Sequence, residues 1–301
     1  MGAKLRVVRR RIRSVQSTMK ITRAMELIAA SRIVKAQQRV AEARPYADLL
    51  TRAMEDVARQ TGSLAHTLLE ERPTPERAGL LIMSSDRGLA GSYNANLLKR
   101  TEGVFERLRA RDVEPVIYAT GKKAISYLRF RGVMVEESWS GFSEVPRYAI
   151  AEEIGQRLIE DFGTHRIDEL HAVYTDFRSA FTFRATDQRF LPIAPEELVS
   201  KEERGRPHPE YIFEPGPAQI LGDLLPQYLI TKVYFAFLES AASENAARQR
   251  AMAAATDNAD ELIKVLTRQA NRARQDEITT EIMEIVGGAE ALAQASGGSG
   301  G

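Results

Sequence analysis

The sequence contains no cysteine and little histidine. The lack of cysteine excludes a disulfide framework, a thiol nucleophile and a cysteine-based zinc site. The histidines also lack the spacing of a metal-ligand set; they are His66, His165, His171 and His208. We therefore predict that the protein holds no metal and no cofactor.

Long hydrophobic runs are missing as well. A bilayer-spanning helix needs roughly 18 to 20 apolar residues, and the best run, "YLITKVYFAFL" at residues 228 to 238, is short and contains Lys232. A hydrophobic content of 44% with 28% charged residues is typical of a soluble globular protein. Any association with a membrane should therefore be peripheral.

The formal net charge of +1 conceals a strong polarity along the chain. Residues 1 to 47 hold twelve Lys and Arg residues against Glu26 and Glu42, so this segment carries +10 and leaves about −9 for the rest. Such a segment is a solvated face, or it contacts an acidic protein surface, nucleic acid or anionic lipid. Its Arg-rich start resembles a transit peptide, but its hydrophobic repeat runs on without a boundary, so we interpret it as mature protein.

A heptad repeat extends through the first 57 residues. Fourteen of sixteen successive a/d positions are apolar, and only Thr22 and Glu26 interrupt them. The positions are Leu5, Val8, Ile12, Val15, Met19, Thr22, Glu26, Ala29, Ile33, Ala36, Val40, Ala43, Ala47, Leu50, Met54 and Val57. This pattern predicts a long coiled-coil helix, in which Pro45 is expected to introduce a kink.

The C-terminal part predicts the partner helix. No glycine occurs between Asp223 and Val286, no proline follows Pro226, and the middle is rich in alanine, which permits close helix packing. At about 1.5 Å per residue the two helices are roughly 80 and 110 Å long. We predict an antiparallel two-helix coiled coil in which the C-terminal helix overshoots its partner.

The central part predicts an α/β domain. Apolar runs at residues 78 to 85 and 114 to 121 enclose a helical pattern, which indicates a β-α-β unit, and two later strands are joined by a short hairpin. We predict a Rossmann-like α/β domain at 78 to 192 between helices at 1 to 58 and 218 to 292. Residues 59 to 77 and 193 to 217 are predicted linkers, and 293 to 301 a flexible Gly/Ser tail that resembles a fusion linker.

No catalytic constellation is visible. The stretch "SSDRGLAGSYNANLL" (84 to 98) joins a strand to a helix, where phosphate often binds, but Gly88-x-x-Gly91 matches neither a dinucleotide fingerprint nor a P-loop. We interpret it as a structural turn and Lys122 and Lys123 as solvated. No catalytic residue is assigned, and we predict that the chain is not an enzyme.

Nucleic-acid binding is a real alternative, because a basic helix is one of its signatures. A basic-zipper protein carries its basic region beyond the zipper, so that the helices can enter a groove. Here the basic residues interleave with the seam itself. The pattern favours contact with an acidic protein cavity; a non-catalytic coiled-coil scaffold that binds nucleic acid stays open as the alternative.

Four long motifs, in order, resemble the gamma subunits of bacterial F-type ATP synthases. They are "RRIRSVQSTMKITRAMELIAASRIVKAQ", "SSDRGLAGSYN", "ASENAARQRAMAAATDNA" and "ITTEIMEIVGGAEA", and the likeness covers residues 1 to 292. One departure is Ala90, where many relatives have cysteine.

This resemblance implies a rotor shaft without bond chemistry of its own. One copy would stand inside a ring of three alpha and three beta subunits and couple ion-driven rotation to conformational change at the beta-subunit nucleotide sites. The α/β domain would bind the epsilon subunit and the c-subunit ring. The complex would place the chain peripherally on the cytoplasmic face of the bacterial plasma membrane, with no nucleic acid involved.

The resemblance also implies contacts with the beta subunits. They fall on the matching segments near residues 20 to 26 and 271 to 279, at Lys20, Thr22, Arg23, Met25, Glu26, Arg274, Gln275 and Thr279. We expect Thr22 and Glu26 to relax the pairing of the two helices, while Lys20 and Arg23 face outward.

Overall fold

The computed structural model describes residues 3–61, 66–179, 182–194 and 216–297. The chain divides into two compact units, one formed by residues 28–250 and the other by residues 1–27 with 251–301. Two long helices, α1 (Ala3–Thr61) and α5 (Pro217–Gly297), contribute to both units. These units do not follow the predicted domain boundaries, which stay predictions.

The unit of residues 28–250 contains a five-stranded sheet with its own helices. The elements are β1 (Arg77–Met83), α2 (Tyr93–Ala110), β2 (Glu114–Thr120), α3 (Lys122–Phe130), β3 (Glu137–Trp139), α4 (Tyr148–Gly163), β4 (Glu169–Phe177) and β5 (Phe183–Leu191), with a 3-10 helix at Thr67–Leu69. The strand order is β3-β2-β1-β4-β5. Strands β1 to β4 are parallel, and β5 pairs with β4 antiparallel, which confirms the predicted parallel sheet ending in a hairpin.

The central strand β1 is buried on both faces, as its continuous apolar run predicts. Leu80 and Ile82 point to one face, where they join a core with residues of α2 and α3 such as Leu97 and Leu128. The alternate residue Leu81 joins a second core on the opposite face. The sheet therefore lies between two helical layers.

The second layer consists of α4 and the described parts of α1 and α5 within this unit. Met54 of α1 and Leu229 of α5 belong to the same core as Phe162 of α4. Gly155 of α4 lies so close to α5 that an added Cβ would stand 2.7 Å from Ile230. Both long helices are thus fixed to the α/β domain by continuous apolar packing.

Within residues 1–27 and 251–301 the two long helices pair directly. Their buried apolar residues are Leu5 on α1 and Met252, Ala259, Leu266 and Ala270 on α5. Every predicted a/d position from Leu5 to Val57 is buried or half-buried, which confirms the heptad assignment.

The last described part of α5 is mostly exposed. From Asn271 to Ala289 only Ala273 and Glu277 are half-buried, and the others are exposed. The exposed fractions of the large apolar side chains reach 68% at Met283 and 72% at Ile285. The predicted overshoot of the C-terminal helix is therefore present, and residues 271 to 289, called the helix tip below, expose apolar side chains. Among the described residues no helix is long and apolar enough to cross a bilayer.

Candidate functional site

The main polar site inside residues 28–250 is centred on Arg248 of α5. Its side chain is only 5% exposed, and its guanidinium lies 2.6 Å from a carboxylate oxygen of Glu244, one turn earlier on the same helix. It also lies 3.2 Å from Glu144, in the loop before α4. Its Nη2 donates weaker hydrogen bonds to the backbone carbonyls of Arg87 and Gly88 at 3.5 and 3.4 Å. Arg248 thus connects α5 to two loops of the α/β domain.

Glu144 extends this network to the other long helix. Its second carboxylate oxygen pairs with Arg32 of α1, and Arg87 lies 3.7 Å away. This network is called the Arg248 joint below, and its members are Arg32, Arg87, Glu144, Glu244 and Arg248. Within one unit it ties α1, α5, the turn after β1 and the loop before α4 together.

Burial makes the Arg248 joint sensitive to geometry. Glu244 is 1% exposed, and this burial raises the pKa of its carboxyl, while Arg248 opposes the rise. A buried ion pair repays the desolvation of its charges only when geometry and hydrogen bonding are good, and loss of one partner leaves an uncompensated charge. The joint therefore favours one arrangement of its four segments.

The Arg248 joint was not predicted from the sequence. The available signal was an acidic and a basic residue four positions apart, Glu244 and Arg248, inside an alanine-rich helix. That spacing is equally typical of an exposed helix face. Only the fold shows that Glu144, from a distant loop, completes the network.

The turn after β1 contributes a carboxylate, Asp86, that backbone amides of other segments bind. Asp86 accepts hydrogen bonds from the backbone amides of Gly141 (2.8 Å), Ser143 (3.0 Å) and Lys122 (3.2 Å). Burial acts to raise the pKa of Asp86, but these amide bonds outweigh it and hold the pKa below the usual value. The Lys122 amide at the start of α3 is therefore already used, and Asp86, within residues 84 to 98, connects the turn after β1 to α3 and to the loop before α4.

A tight backbone contact fixes this turn. Gly121 has φ +82°, and an added Cβ would stand 2.1 Å from the carbonyl oxygen of Ser84. The Ser84 hydroxyl lies 2.9 Å from the carbonyl of Thr120 and accepts from the amide of Ala124 at 2.8 Å. Among the described residues, no group of three or more potential metal ligands is present.

The first group of predicted contacts lies on α1. Lys20 and Arg23 are exposed, while Met25 and Glu26 are half-buried. Arg23 forms an ion pair with Glu26 at 2.9 Å, so Glu26 satisfies its charge on its own helix. The structure therefore brings Arg23 and Glu26 together on one side of α1, whereas Met25, two residues after Arg23, lies on another side.

Thr22 behaves differently from its neighbours. It is 8% exposed, and its hydroxyl lies 2.8 Å from the hydroxyl of Thr256 on α5. The Thr22 hydroxyl also lies 3.0 Å from the carbonyl of Met19, and the Thr256 hydroxyl lies 2.8 Å from the carbonyl of Met252. The two helices stay in contact at Thr22, because its hydroxyl meets Thr256 across them; the expectation that Thr22 relaxes the pairing stays a prediction.

The second group of predicted contacts lies on α5. Arg274, Gln275 and Thr279 are all exposed, and the Thr279 hydroxyl donates to the carbonyl of Gln275 at 2.9 Å. They are therefore available to a partner. Contact of either group with a beta subunit stays a prediction.

Comparison with known proteins decides the family. A family model described as ATP synthase matches residues 4–292. The ATP synthase gamma chain of Parafrankia sp. (strain EAN1pec) is 53% identical over 297 residues, which cover 97% of this chain and 99% of that one. The chain belongs to the ATP synthase gamma chain family. The gamma chain of Mycobacterium tuberculosis (strain ATCC 25177 / H37Ra) is 51% identical over 98% of this chain and 100% of its own.

Solved structures support the fold of this gamma chain family member. A chain of the Euglena gracilis mitochondrial ATP synthase, solved as OSCP/F1/c-ring in rotational state 3, has a TM-score of 0.64 at 18% identity, over 98% of this chain and 97% of that one. A chain of the Tetrahymena thermophila ATP synthase central stalk/c-ring has a TM-score of 0.55 at 21% identity, over 78% and 99%. The family does not favour the alternative of a nucleic-acid-binding scaffold.

Proposed function

We propose that this chain is the central rotor shaft of an F-type ATP synthase. It couples the ion-driven rotation of a c-subunit ring to conformational change at the nucleotide sites of the beta subunits. The Arg248 joint is the observation that supports this role most directly. Two long helices can transmit torque only if they are held firmly by the domain that receives it. The joint does this with charges from both helices, the buried Arg248 of α5 and the half-buried Arg32 of α1.

The helix tip supports the same role. Exposed apolar side chains of this size mark a surface that a partner covers. They are Ile278, Ile282, Met283, Ile285 and Val286. The end of a rotor shaft turns inside a ring of subunits. Apolar side chains suit this end, because the surrounding subunits can cover them without a fixed polar contact.

The exposed polar residues in both predicted contact segments contribute to selecting the angular position of the shaft. Lys20 and Arg23 carry positive charge toward an acidic loop of a beta subunit, and Arg274 and Gln275 donate hydrogen bonds to another. An exposed ion pair contributes only about 0 to 1 kcal/mol, so these contacts select an angular position. Steric packing of the stiff helices against the surrounding subunits transmits the torque.

In this proposal the gamma chain performs no bond chemistry. Three alpha and three beta subunits surround one copy, while the α/β domain binds the epsilon subunit and the c-subunit ring. The chain reaches the membrane only through the complex, on the cytoplasmic face of the bacterial plasma membrane. The family membership supports this assembly, and the missing catalytic constellation agrees with it.

Native mass spectrometry of the reconstituted complex tests the proposal. The chain is mixed with the alpha and beta subunits of the same ATP synthase, and the mass of the assembled particle gives the stoichiometry. We expect one copy of this chain for three alpha and three beta subunits. Assembly of the hexamer that excludes this chain, or takes up three copies of it, contradicts the role.

A further inference from the structure

A cleft of about 480 Å³ lies between α2 and β5, outside both predicted contact segments. Its wall on α2 includes Arg100 and Gly103, and its floor on the sheet includes Thr175, Phe183 and Ala185. The volume is within the range of roughly 300 to 1,000 Å³ that ligand pockets occupy. Nothing in the proposed function uses this cleft.

Small side chains keep the cleft open. Thr175 and Ala185 are paired in the sheet register and therefore share a face. It is the face of α2, because Val173, two residues before Thr175, belongs to the same core as Leu97 of α2. On the helix side an added Cβ at Gly103 would meet no atom within 4 Å. The packing of α2 against the sheet thus stops short of β5.

The floor of the cleft holds a buried hydroxyl without a proper partner. Thr175 is 2% exposed, and its hydroxyl has no hydrogen bond of ordinary geometry with any of the described residues. Its backbone is engaged, since the amide donates to the Ser240 hydroxyl at 3.2 Å and the carbonyl accepts from Ser243 at 3.3 Å. Leaving a buried polar group unpaired is unfavourable, so a ligand that hydrogen-bonds to this hydroxyl gains affinity.

Two aromatic residues give the cleft flat apolar surfaces. Tyr93, at the start of α2, is 2% exposed. Phe183 is half-buried, and the guanidinium of Arg250 lies 4.4 Å from the centre of its ring. Aromatic side chains attract other rings in edge-to-face or offset-stacked geometry. These surfaces favour a ligand that contains a ring.

The cation inside the cleft is already neutralised. Arg100 pairs with Asp187 of β5, which also pairs with Arg107. Lys99 is exposed at the rim. A ligand therefore need not supply a charge, and a neutral polar group loses less hydration than an ion when it leaves water.

Buried polar groups connect the cleft to the Arg248 joint. The Tyr93 phenol lies beside the hydroxyls of Thr175 and Ser240. Burial and the charge of Glu244 raise the pKa of this phenol, while the two hydroxyls and Arg248 oppose the rise. Glu244 is also the partner of Arg248 at 2.6 Å. A molecule that contacts Tyr93 and Thr175 from the cleft therefore acts on groups that touch the joint.

We propose that the α2–β5 cleft is a regulatory site for a small neutral molecule with an aromatic ring and a hydrogen-bonding group such as an amide. The ring packs against Phe183, and the polar group binds the Thr175 hydroxyl. Through Tyr93 the bound molecule changes the geometry of the Arg248 joint. The proposal rests on the proposed function only for what the joint holds, because the site itself belongs to the isolated chain.

Titration of the isolated full chain with benzamide, nicotinamide and adenine tests the site. Each of these probes is neutral and combines an aromatic ring with hydrogen-bonding groups. The backbone amide NMR signals of Gly103 and Ala185 report the filling of the cleft. We expect at least one probe to shift both signals in a saturable way. Absence of saturable shifts with all three probes overturns the proposal.

Removal of one hydroxyl tests the floor of the cleft. Thr175→Val deletes a group that has no well-formed hydrogen bond with the described residues, so the melting temperature should not fall. The affinity for the probe should nevertheless fall roughly tenfold, because its hydrogen bond is lost. Unchanged affinity in Thr175→Val overturns the assigned binding mode.

Filling the cleft is the complementary test. Gly103→Leu places a side chain in the open space and should abolish binding of the probe. Ala95→Leu is the matched control, because Ala95 is an exposed small residue of the same helix that does not line the cleft. Equal affinity in the two variants contradicts the proposal, and Thr175→Val decides the matter if Gly103→Leu does not fold.

The NMR signal of the Arg248 side-chain Nε–H group tests the connection to the joint. We expect it to shift with the same saturation curve as the signals of the cleft. Binding that leaves the Arg248 signal unchanged overturns the regulatory role. All these measurements use the isolated chain, so failure of the chain to assemble with alpha and beta subunits counts against the proposed function alone.

Discussion

The buried Arg248 and the half-buried Glu144 form an ion pair of 3.2 Å between a long helix and a loop that are far apart in the chain. Glu144 holds Arg32 of the other long helix at the same time. One carboxylate therefore contacts both helices that are proposed to form the shaft. This arrangement attaches both long helices to the α/β domain.

Removing Arg248 should destabilise the protein strongly. Arg248→Ala leaves the buried carboxylate of Glu244 and the half-buried carboxylate of Glu144 without their main partner, and breaking a buried pair costs about 3 to 5 kcal/mol. Urea unfolding of the isolated chain measures the loss. Arg268→Ala, at an exposed position of α5, is the matched control and should change stability by less than about 0.5 kcal/mol. Equal effects of the two substitutions would show that the joint contributes little.

The Thr22–Thr256 contact should appear as coupling in a double-mutant cycle. Thr22→Val removes one hydroxyl and leaves Thr256 without its partner across the helices, which costs about 0.5 to 1.5 kcal/mol. The double variant Thr22→Val/Thr256→Val removes both polar groups and should cost less than the sum of the single variants. Thermal unfolding of the four proteins gives the coupling energy. Additive effects would mean that the two hydroxyls do not interact.

Replacing two different glycines by alanine should change the stability of the protein in opposite directions. Gly121→Ala forces a Cβ to within 2.1 Å of the Ser84 carbonyl at a positive φ, so we expect a loss of more than about 2 kcal/mol. Gly103→Ala places the same methyl group in open space inside α2 and should stabilise by about 0.5 to 1 kcal/mol. Denaturant midpoints measure both changes. Destabilisation by Gly103→Ala would mean that the chain itself packs against this position.

Glu239 should make the stability of the α5 packing depend on pH. Burial, with a smaller effect of Asp176, raises the pKa of its carboxyl to about 7 from the ordinary 4.5. Because the folded state holds this proton more tightly than the unfolded state, the group lowers stability progressively as the pH rises from about 4.5 to about 7.

Glu239→Gln should therefore be more stable than the parent chain at pH 8, by up to about 2 kcal/mol, and equally stable near pH 4.5. Thermal melts across this range test the prediction, with Glu281→Gln, at an exposed position near the end of α5, as the control. A stability difference that does not change with pH would contradict the raised pKa.

Much of this fold could be predicted because its signals are periodic and local. The heptad positions from Leu5 to Val57 identified the buried stripe of α1, including the polar position of Thr22. The apolar runs of β1 and β2 identified the parallel core. By contrast, β3 (Glu137–Trp139) has only three residues and is held by pairing with β2, so it carries no periodic signal of its own.

The polar sites were harder to predict because they depend on residues that are distant in the sequence. Nothing near Glu144 indicates that its carboxylate meets Arg32 and Arg248, since these contacts require the complete domain. Thr22 shows the same limit: the heptad identified its place on the seam, but its partner Thr256 is known only from the paired helices. Local patterns identify elements, and tertiary packing decides which polar groups meet.

Observation of a single rotating complex tests the central claim most directly. The chain has no cysteine, so Ser126→Cys on the exposed side of α3 gives a unique attachment point for a bead. The alpha and beta subunits are fixed to a surface and ATP is added. We expect the bead to turn in one direction with three stopping positions per turn, one for each beta subunit. A complex that assembles around this chain and hydrolyses ATP while the bead only fluctuates would contradict the account.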